Sequence, residues 1–301
     1  MKITGTFLDE VSCDIPHQNW GEREWDADFQ AMRAIGIDTV VLIRSGFRKF
    51  TAYPSKVLAG RKNCYTPPLD LVGLFLRLAE QYGMRFYFGT YDGDNWHEET
   101  LKEELSVIRA AAEEAFERYG SSPAFAGWYL AHEICRNKKP QVAGYAELGR
   151  FCKEISGGLP VLISPYIGGI KSDQENPTSI EEHERDWHEI LGCLEGAVDF
   201  VAFQDGHCEY DELADYLRLN KRLIECHGMT AWTNCETFDR DMPIRFLPIK
   251  WEKMLLKLEA AREAGMEKAI TFEFSHFMSP NSCYRAASGL YQRYREHFHL
   301  I

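Results

Sequence analysis

The sequence predicts an α/β chain, residues 1–301 folded as one (β/α)8 TIM barrel, and three observations lead there. Short apolar runs alternate with amphipathic helices through eight units. The runs are apolar on both faces, as strands of a helix-covered parallel sheet must be. No G-x-G-x-x-G follows the first run, so the fingerprint of an open nucleotide-binding sheet is missing. Eight right-handed strand–helix units over this length favour closure into a barrel.

The elements follow in order. Ile3 to Leu8 forms the first strand, and a helix runs from about Glu22 to Ile35 with Trp25, Phe29, Met32 and Ile35 at helical spacing. Thr39 to Ile43 is the second strand. The helix Leu69–Tyr82 leads through Gly83 to the strand Arg85–Gly89. The helix Leu101–Tyr119 shows Leu101, Leu105, Ile108, Ala112 and Ala115 on one face and precedes the strand Phe125–Leu130. The helix Val142–Ile155 precedes Val161–Ser164, and Ile180–Leu194 precedes Val198–Phe203. Leu213–Cys226 precedes Thr230–Asn234, and Trp251–Ala264 precedes Lys268–Phe272. The helix Ala286–Phe298 closes the pattern. A glycine follows most of these helices, the expected left-handed stop. Two long loops, Ser45–Pro68 and Pro165–Ser179, follow strands two and five and therefore belong to the catalytic face.

Composition narrows the function. The formal net charge is −12, a field that repels phosphate backbones and anionic headgroups. No nucleic-acid partner and no membrane role is expected, whereas a neutral carbohydrate substrate is unaffected. The 9 cysteines are scattered, with none at CxxC spacing, which argues for free thiols in a reducing compartment. The N-terminal stretch shows no signal-peptide pattern, so a cytoplasmic protein is expected. No cofactor motif is present and none is expected. Nothing in the pattern sets an oligomeric state.

In such a barrel the chemistry sits at the carboxyl ends of the strands. There the sequence places Asp9-Glu10, Arg44, Tyr91-Asp92 with Trp96 behind, His132-Glu133, Ser164-Pro165-Tyr166, Gln204-Asp205-Gly206-His207, Asn234-Cys235-Glu236 and Glu273 with His276. Glu133 and Glu236 follow strands four and seven, which face each other across the mouth. A lone glutamate at a strand end reads equally well as a solvated loop residue. Two at facing ends match the need of glycoside hydrolysis for a proton donor and a nucleophile or base. Cys235 beside Glu236 is a poor nucleophile, because the neighbouring charge raises a thiol. No GxSxG elbow supports a serine triad.

On Glu133, Glu236 and Arg44 the chain resembles retaining (β/α)8 glycosidases with their acid/base after strand four and their nucleophile after strand seven. That resemblance implies Glu133 as acid/base and Glu236 as nucleophile, held by Arg44. His132 stands where those enzymes usually carry Asn. Gly5-Thr6-Phe7-Leu8-Asp9-Glu10 and the stretch Asp38 to Arg44 are similar to an uncharacterised domain-of-unknown-function family grouped with glycosidase-type barrels. The implied role is a hydrolase of carbohydrate metabolism that cleaves an O-glycosidic bond with two carboxylates.

Expected sugar contacts are Asp9, Glu10, Arg44, Trp96, His132, Tyr166, Gln204, Asn234 and Glu273. Trp20 and Phe238 are further loop aromatics for the apolar face of a sugar ring. Period-2 alternation puts Ala269, Thr271, Glu273 and Ser275 on one face and Ile270, Phe272 and Phe274 on the other. Assigning the second set to the helices turns Glu273 inward, as a third carboxylate, a substrate contact or a partner of Arg44. Two alternatives stay open. One is a divalent-metal sugar isomerase or epimerase using Glu133, Asp205, His207, Glu236 and Glu273. The other is a non-catalytic carbohydrate-binding barrel.

Overall fold

The computed structural model describes residues 1–136, 138–241 and 246–300. Eight parallel strands close on themselves in chain order. They are β1 (Ile3–Leu8), β2 (Thr39–Leu42), β3 (Arg85–Gly89), β4 (Phe125–Tyr129), β5 (Val161–Ile163), β6 (Phe200–Gln204), β7 (Thr230–Asn234) and β8 (Lys268–Thr271). The helices between and after them are α1 (Glu22–Ala34), α2 (Leu71–Tyr82), α3 (Leu101–Tyr119), α4 (Lys139–Ile155), α5 (Ile180–Leu194), α6 (Leu213–Cys226), α7 (Trp251–Glu263) and α8 (Arg285–His297). The predicted fold class is the one found, with most boundaries within three residues.

Local chemistry sets the helix ends. The Asp70 side chain accepts from the Gly73 N–H at 3.0 Å and starts α2. Ser179 and Glu182 form a reciprocal capping box at α5. Gly83 and Gly265 stop their helices with φ of 64° and 72°. Gly120 is an exception to the expected left-handed stop: it ends α3 in right-handed geometry, with φ −64°.

Two apolar layers hold the barrel. Phe7, Val41, Tyr87, Tyr129, Leu162, Ala202, Trp232 and Ile270, one from each strand, fill the interior. The intervening residues, such as Val40, Phe86, Trp128, Val201 and Ala269, meet the helices. This reverses the expected phase of β8, since Ile270 points inward. With apolar residues on both faces of a buried strand, alternation alone cannot say which face is which.

Small elements cap the carboxyl end. Gly46–Phe47 pairs with Phe50–Thr51 and with Tyr91–Asp92, and Phe238–Asp239 pairs with Leu247–Pro248. Short helices span Lys56–Lys62 and Phe274–Phe277. All nine cysteines are free thiols. Among the described residues no helix is long and apolar enough to cross a membrane.

Candidate active site

The interior layer projects the site. Two residues beyond inward-pointing Phe7, Val41, Leu162, Ala202, Trp232 and Ile270 stand Asp9, Ile43, Ser164, Gln204, Asn234 and Phe272, which the same alternation turns inward. All six line a cavity of about 380 Å³ at the barrel mouth. Glu133 and Glu236 lie four residues past inward Tyr129 and Trp232, and both line it too. Tyr166, Lys171 and Ser172 enter from the Pro165–Ser179 loop. The Ser45–Pro68 loop lies elsewhere, docked on α3 through Arg61–Glu103 and Lys62–Glu104 ion pairs. Those pairs also neutralise two of its cations, Arg61 and Lys62.

Glu236 is buried and fully engaged. Arg240 donates from Nε to Oε2 at 2.7 Å and from Nη2 to Oε1 at 2.6 Å. This bidentate fork is the strong form of a charge-assisted pair. Burial alone would push the carboxyl up, but Arg240, its hydrogen bonds, Lys257 and His207 outweigh burial and hold it at about 2. A second clamp fixes the backbone. Asp205 Oδ1 accepts from the Glu236 N–H at 3.0 Å and from Lys257 Nζ at 2.7 Å, and Lys257 also donates to the Glu236 carbonyl at 3.1 Å. Gly206 completes the seat. A Cβ there would lie 1.7 Å from Glu236 Oε2 and 2.6 Å from Arg240 Nε, so only glycine leaves room for the pair.

Glu133 receives the opposite treatment. It lines the cavity, part of its area open to it. Burial raises its carboxyl and the Glu236 charge adds to this, against the pull of Arg44, a hydrogen bond to Gln204 and Arg240. One cavity thus holds a carboxyl pushed toward the protonated form and another locked as carboxylate, the division of labour that acid–base chemistry near neutral pH requires.

The remaining wall is polar and aromatic. Asn234 Nδ2 donates to Ser164 Oγ at 3.1 Å, and Gln204 Nε2 donates to the Ser164 carbonyl at 3.0 Å. Tyr166 and His207 lie ring to ring at 4.9 Å. Phe7, Phe238, Phe246 and Phe272 supply apolar surface.

The model of a domain of unknown function, DUF4434, matches residues 3–284. The chain belongs to the DUF4434 family. Its structure superposes on that of a provisionally named alpha-L-fucosidase from Bacteroides thetaiotaomicron with a TM-score of 0.96 and 53% identity, covering 100% of this chain and 94% of the other. It is also similar in fold to an endo-1,4-beta-D-mannanase from Thermotoga petrophila, with a TM-score of 0.58 and 12% identity, covering 90% and 87% of the two chains. An intracellular xylanase from Thermoanaerobacterium saccharolyticum gives a TM-score of 0.52 and 11% identity over 84% and 83%. None of the curated proteins matches the chain. This DUF4434 chain therefore has the barrel of glycoside hydrolases, as the resemblance implied.

Of the residues singled out in the sequence, Asp9, Arg44, Glu133, Tyr166, Gln204, Asn234 and Glu236 share the cavity. Arg44 does not hold Glu236. It donates to Ser12 Oγ at 2.7 Å and pairs with Asp92 at 3.4 Å, which places its charge beside Glu133. Arg240 takes the expected role, from a loop position four residues beyond Glu236. Trp96 and His132 stack on each other at 4.4 Å, with Trp96 also against Tyr145, and neither lines the cavity. Trp20 packs on Trp25.

Glu273 is buried but turned away. β8 ends at Thr271, and the Glu273 carboxylate caps the short helix Phe274–Phe277 by accepting from Ser275 N at 3.0 Å, His276 N at 2.6 Å and His276 Nδ1 at 2.5 Å. Phe272 takes the inward place. Glu10 lies outside the lining residues; burial pushes it up to about 7 against the pull of His276, with the Glu273 and Asp9 charges adding to the rise.

The metal alternative loses its ligand set. Asp205 is held by Lys257, Glu236 by Arg240 and Glu273 by His276. Among the described residues no three His, Cys, Asp or Glu side chains are placed to hold a metal. Tyr129, Lys171 and Arg240, which the sequence did not single out, complete the wall, with His207 from the metal alternative's set. The signal for Tyr129 was its position four residues before Glu133 on the inward face.

Proposed function

We propose that the protein hydrolyses an O-glycosidic bond with retention, Glu133 serving as general acid/base and Glu236 as nucleophile. The observation that carries this reading is the opposite electrostatic treatment of two carboxyls in one cavity. Glu236 is ionised by Arg240 and Lys257, and Glu133 is raised by burial and by Glu236. Glycosidase barrels among the similar structures support the class, and the alpha-L-fucosidase name of the 53% identical relative makes an alpha-L-fucoside the first substrate to test.

In the first step Glu236 attacks the anomeric carbon as the bond to the leaving oxygen breaks, and Glu133 gives that oxygen its proton. In the second, Glu133 takes a proton from water. The resulting hydroxyl attacks the anomeric carbon, and Glu236 leaves as carboxylate. The bidentate Arg240 limits the basicity of Glu236, which makes it a competent leaving group in that second step.

A panel of chromogenic aryl glycosides, run with and without a chelator, tests the proposal. The expected result is chelator-indifferent release that disappears in Glu236→Ala, with the first-formed sugar retaining its anomeric configuration by proton NMR. Turnover persisting in both Glu236→Ala and Glu133→Ala, or dependence on added divalent metal, would overturn it. An inverted first product would remove the nucleophile role and leave hydrolysis standing.

A further inference from the structure

Four buried polar atoms in the cavity wall have no hydrogen-bond partner among the described residues. They are Asp9 Oδ2, the Tyr129 hydroxyl, His207 Nδ1 and Asn234 Oδ1. Their residues are 1%, 0%, 9% and 2% exposed. A ligand that bonds such atoms relieves an unpaired buried polar group, and one that covers them without bonding them does not. The four therefore describe what must bind.

Their chemistry is specific. Asp9 Oδ1 is taken by the N–H groups of Val11 and Ser12, at 3.1 and 3.0 Å, which leaves Oδ2 as the unpartnered acceptor of a residue that lines the cavity. Ser164 Oγ donates to the Ala202 carbonyl at 2.8 Å and can only accept from Asn234. This fixes the Asn234 amide with its nitrogen on Ser164 and leaves its oxygen without a partner. Two wall atoms thus demand donors from the ligand. Burial pushes the Tyr129 phenol well above its ordinary range, so its hydroxyl both donates and accepts. Burial also keeps the His207 imidazole neutral, down at about 4, so its ring offers one donor and one acceptor. Hydroxyl groups satisfy all four.

The charges say what is excluded. The cations lining the cavity among the described residues are Arg44, Lys171 and Arg240. Arg44 is paired with Asp92 at 3.4 Å, Lys171 with Glu209 at 3.2 Å and Asp241 at 2.9 Å, and Arg240 with Glu236 at 2.6 Å. Asp9, Asp14 and Glu236 face the same space. An anionic group on a ligand would meet carboxylates and would have to break an existing pair to gain a counter-charge, which is costly in a buried site. The volume, about 380 Å³, is near the small end of the ~300–1,000 Å³ range of ligand pockets.

We infer that the cavity binds one uncharged glycosyl unit, a neutral pyranose whose hydroxyls donate to Asp9 and Asn234 and exchange hydrogen bonds with Tyr129 and His207, and that it rejects uronic acids and sulfated sugars. The inference rests on the glycosidase reading in taking the ligand to be a sugar. It does not depend on which bond is cut.

Calorimetric titration of the full chain with matched monosaccharide pairs tests it: galactose against galacturonate, glucose against glucuronate, with fucose, mannose and xylose added. At least one neutral sugar is expected to bind, with its uronate at least about tenfold weaker, a difference of about 1.4 kcal/mol. Asp9→Asn keeps the Oδ1 cap and replaces the acceptor Oδ2 with a donor. It is expected to weaken the neutral sugar about tenfold while leaving the melting temperature near that of the parent. A uronate binding as tightly as its neutral counterpart, unchanged affinity in Asp9→Asn, or no binding by any neutral sugar overturns the inference. Neutral binding without turnover of any glycoside would retire the hydrolase and keep this pocket assignment. Turnover of uronides alone would do the reverse.

Discussion

Glu236 and Glu273 begin alike and end differently. Each follows a barrel strand by two residues, each is at most 1% exposed, and each meets a cation a few residues on, Arg240 or His276. Only Glu236 lines the cavity. The difference arises in strand phase. Asn234 and Glu236 continue the inward alternation from Trp232, whereas on β8 the inward residues are Ile270 and Phe272, which leaves Glu273 to face the first loop. Their cations also do different work. Arg240 keeps the Glu236 carboxylate ionised at the cavity. His276 donates from Nδ1 to Glu273 and from Nε2 to the Pro16 carbonyl at 2.7 Å, tying the strand-eight loop to the strand-one loop. A buried glutamate at a strand end is therefore a site residue only if its strand turns it inward.

Substitutions can break this comparison, and they rank by expected effect. Glu236→Ala is expected to lower kcat on the order of 10⁴-fold, the scale of losing a nucleophilic group, measured on the best aryl glycoside. Glu133→Gln is expected to cost about 10²–10⁴-fold, with the alkaline limb of the pH–rate profile lost because that limb reports loss of the Glu133 proton. Arg240→Met removes the charge that outweighs burial at Glu236, so the acid limb is expected to move up from about 2 toward or beyond the ordinary glutamate range. An unmoved limb would show that Arg240 does not set it. Glu273→Gln is expected to leave kcat within a few-fold per folded molecule while removing about 3–5 kcal/mol of stability, as breaking a buried pair does. Denaturant unfolding and active-site titration separate the two.

The Glu273–His276 pair also gives a pH signature. Burial opposes charge on His276, but Glu273, Glu10 and the Pro16 carbonyl outweigh it and raise the imidazole to about 9. A histidine whose folded pKa is raised stabilises the fold fully below its unfolded value near 6.5, and that contribution is lost as pH rises through the folded value. The melting temperature is therefore expected to fall between about pH 6.5 and 9, and Glu273→Gln is expected to flatten the fall. A flat parent profile over that window would contradict the pairing.

The barrel was legible because its determinants are local. Apolar runs, amphipathic spacing and stops such as Gly83 and Gly265 mark each unit, and Glu133 and Glu236 fall where strands four and seven must end. Three features were not legible. The phase of β8 is hidden because Ala269 and Ile270 are both apolar and both buried, one toward the helices and one inside. Arg240 reaches Glu236 from the following loop, in space that Gly206 at the neighbouring strand end leaves free, so the sequence pointed to Arg44 instead. Trp96 looked like a sugar platform from its loop position, yet the adjacent His132 and Tyr145 offered it an internal aromatic niche.

The most direct test of the two-carboxylate account needs no substrate. With glutamate side chains labelled by carbon-13, and with Glu133→Gln and Glu236→Gln to assign the signals, the carboxyl titrations can be followed by NMR. The account requires Glu236 to titrate near 2 and Glu133 above the ordinary value of 4.5. The reverse order, or two carboxyls titrating together in the ordinary range, would contradict it.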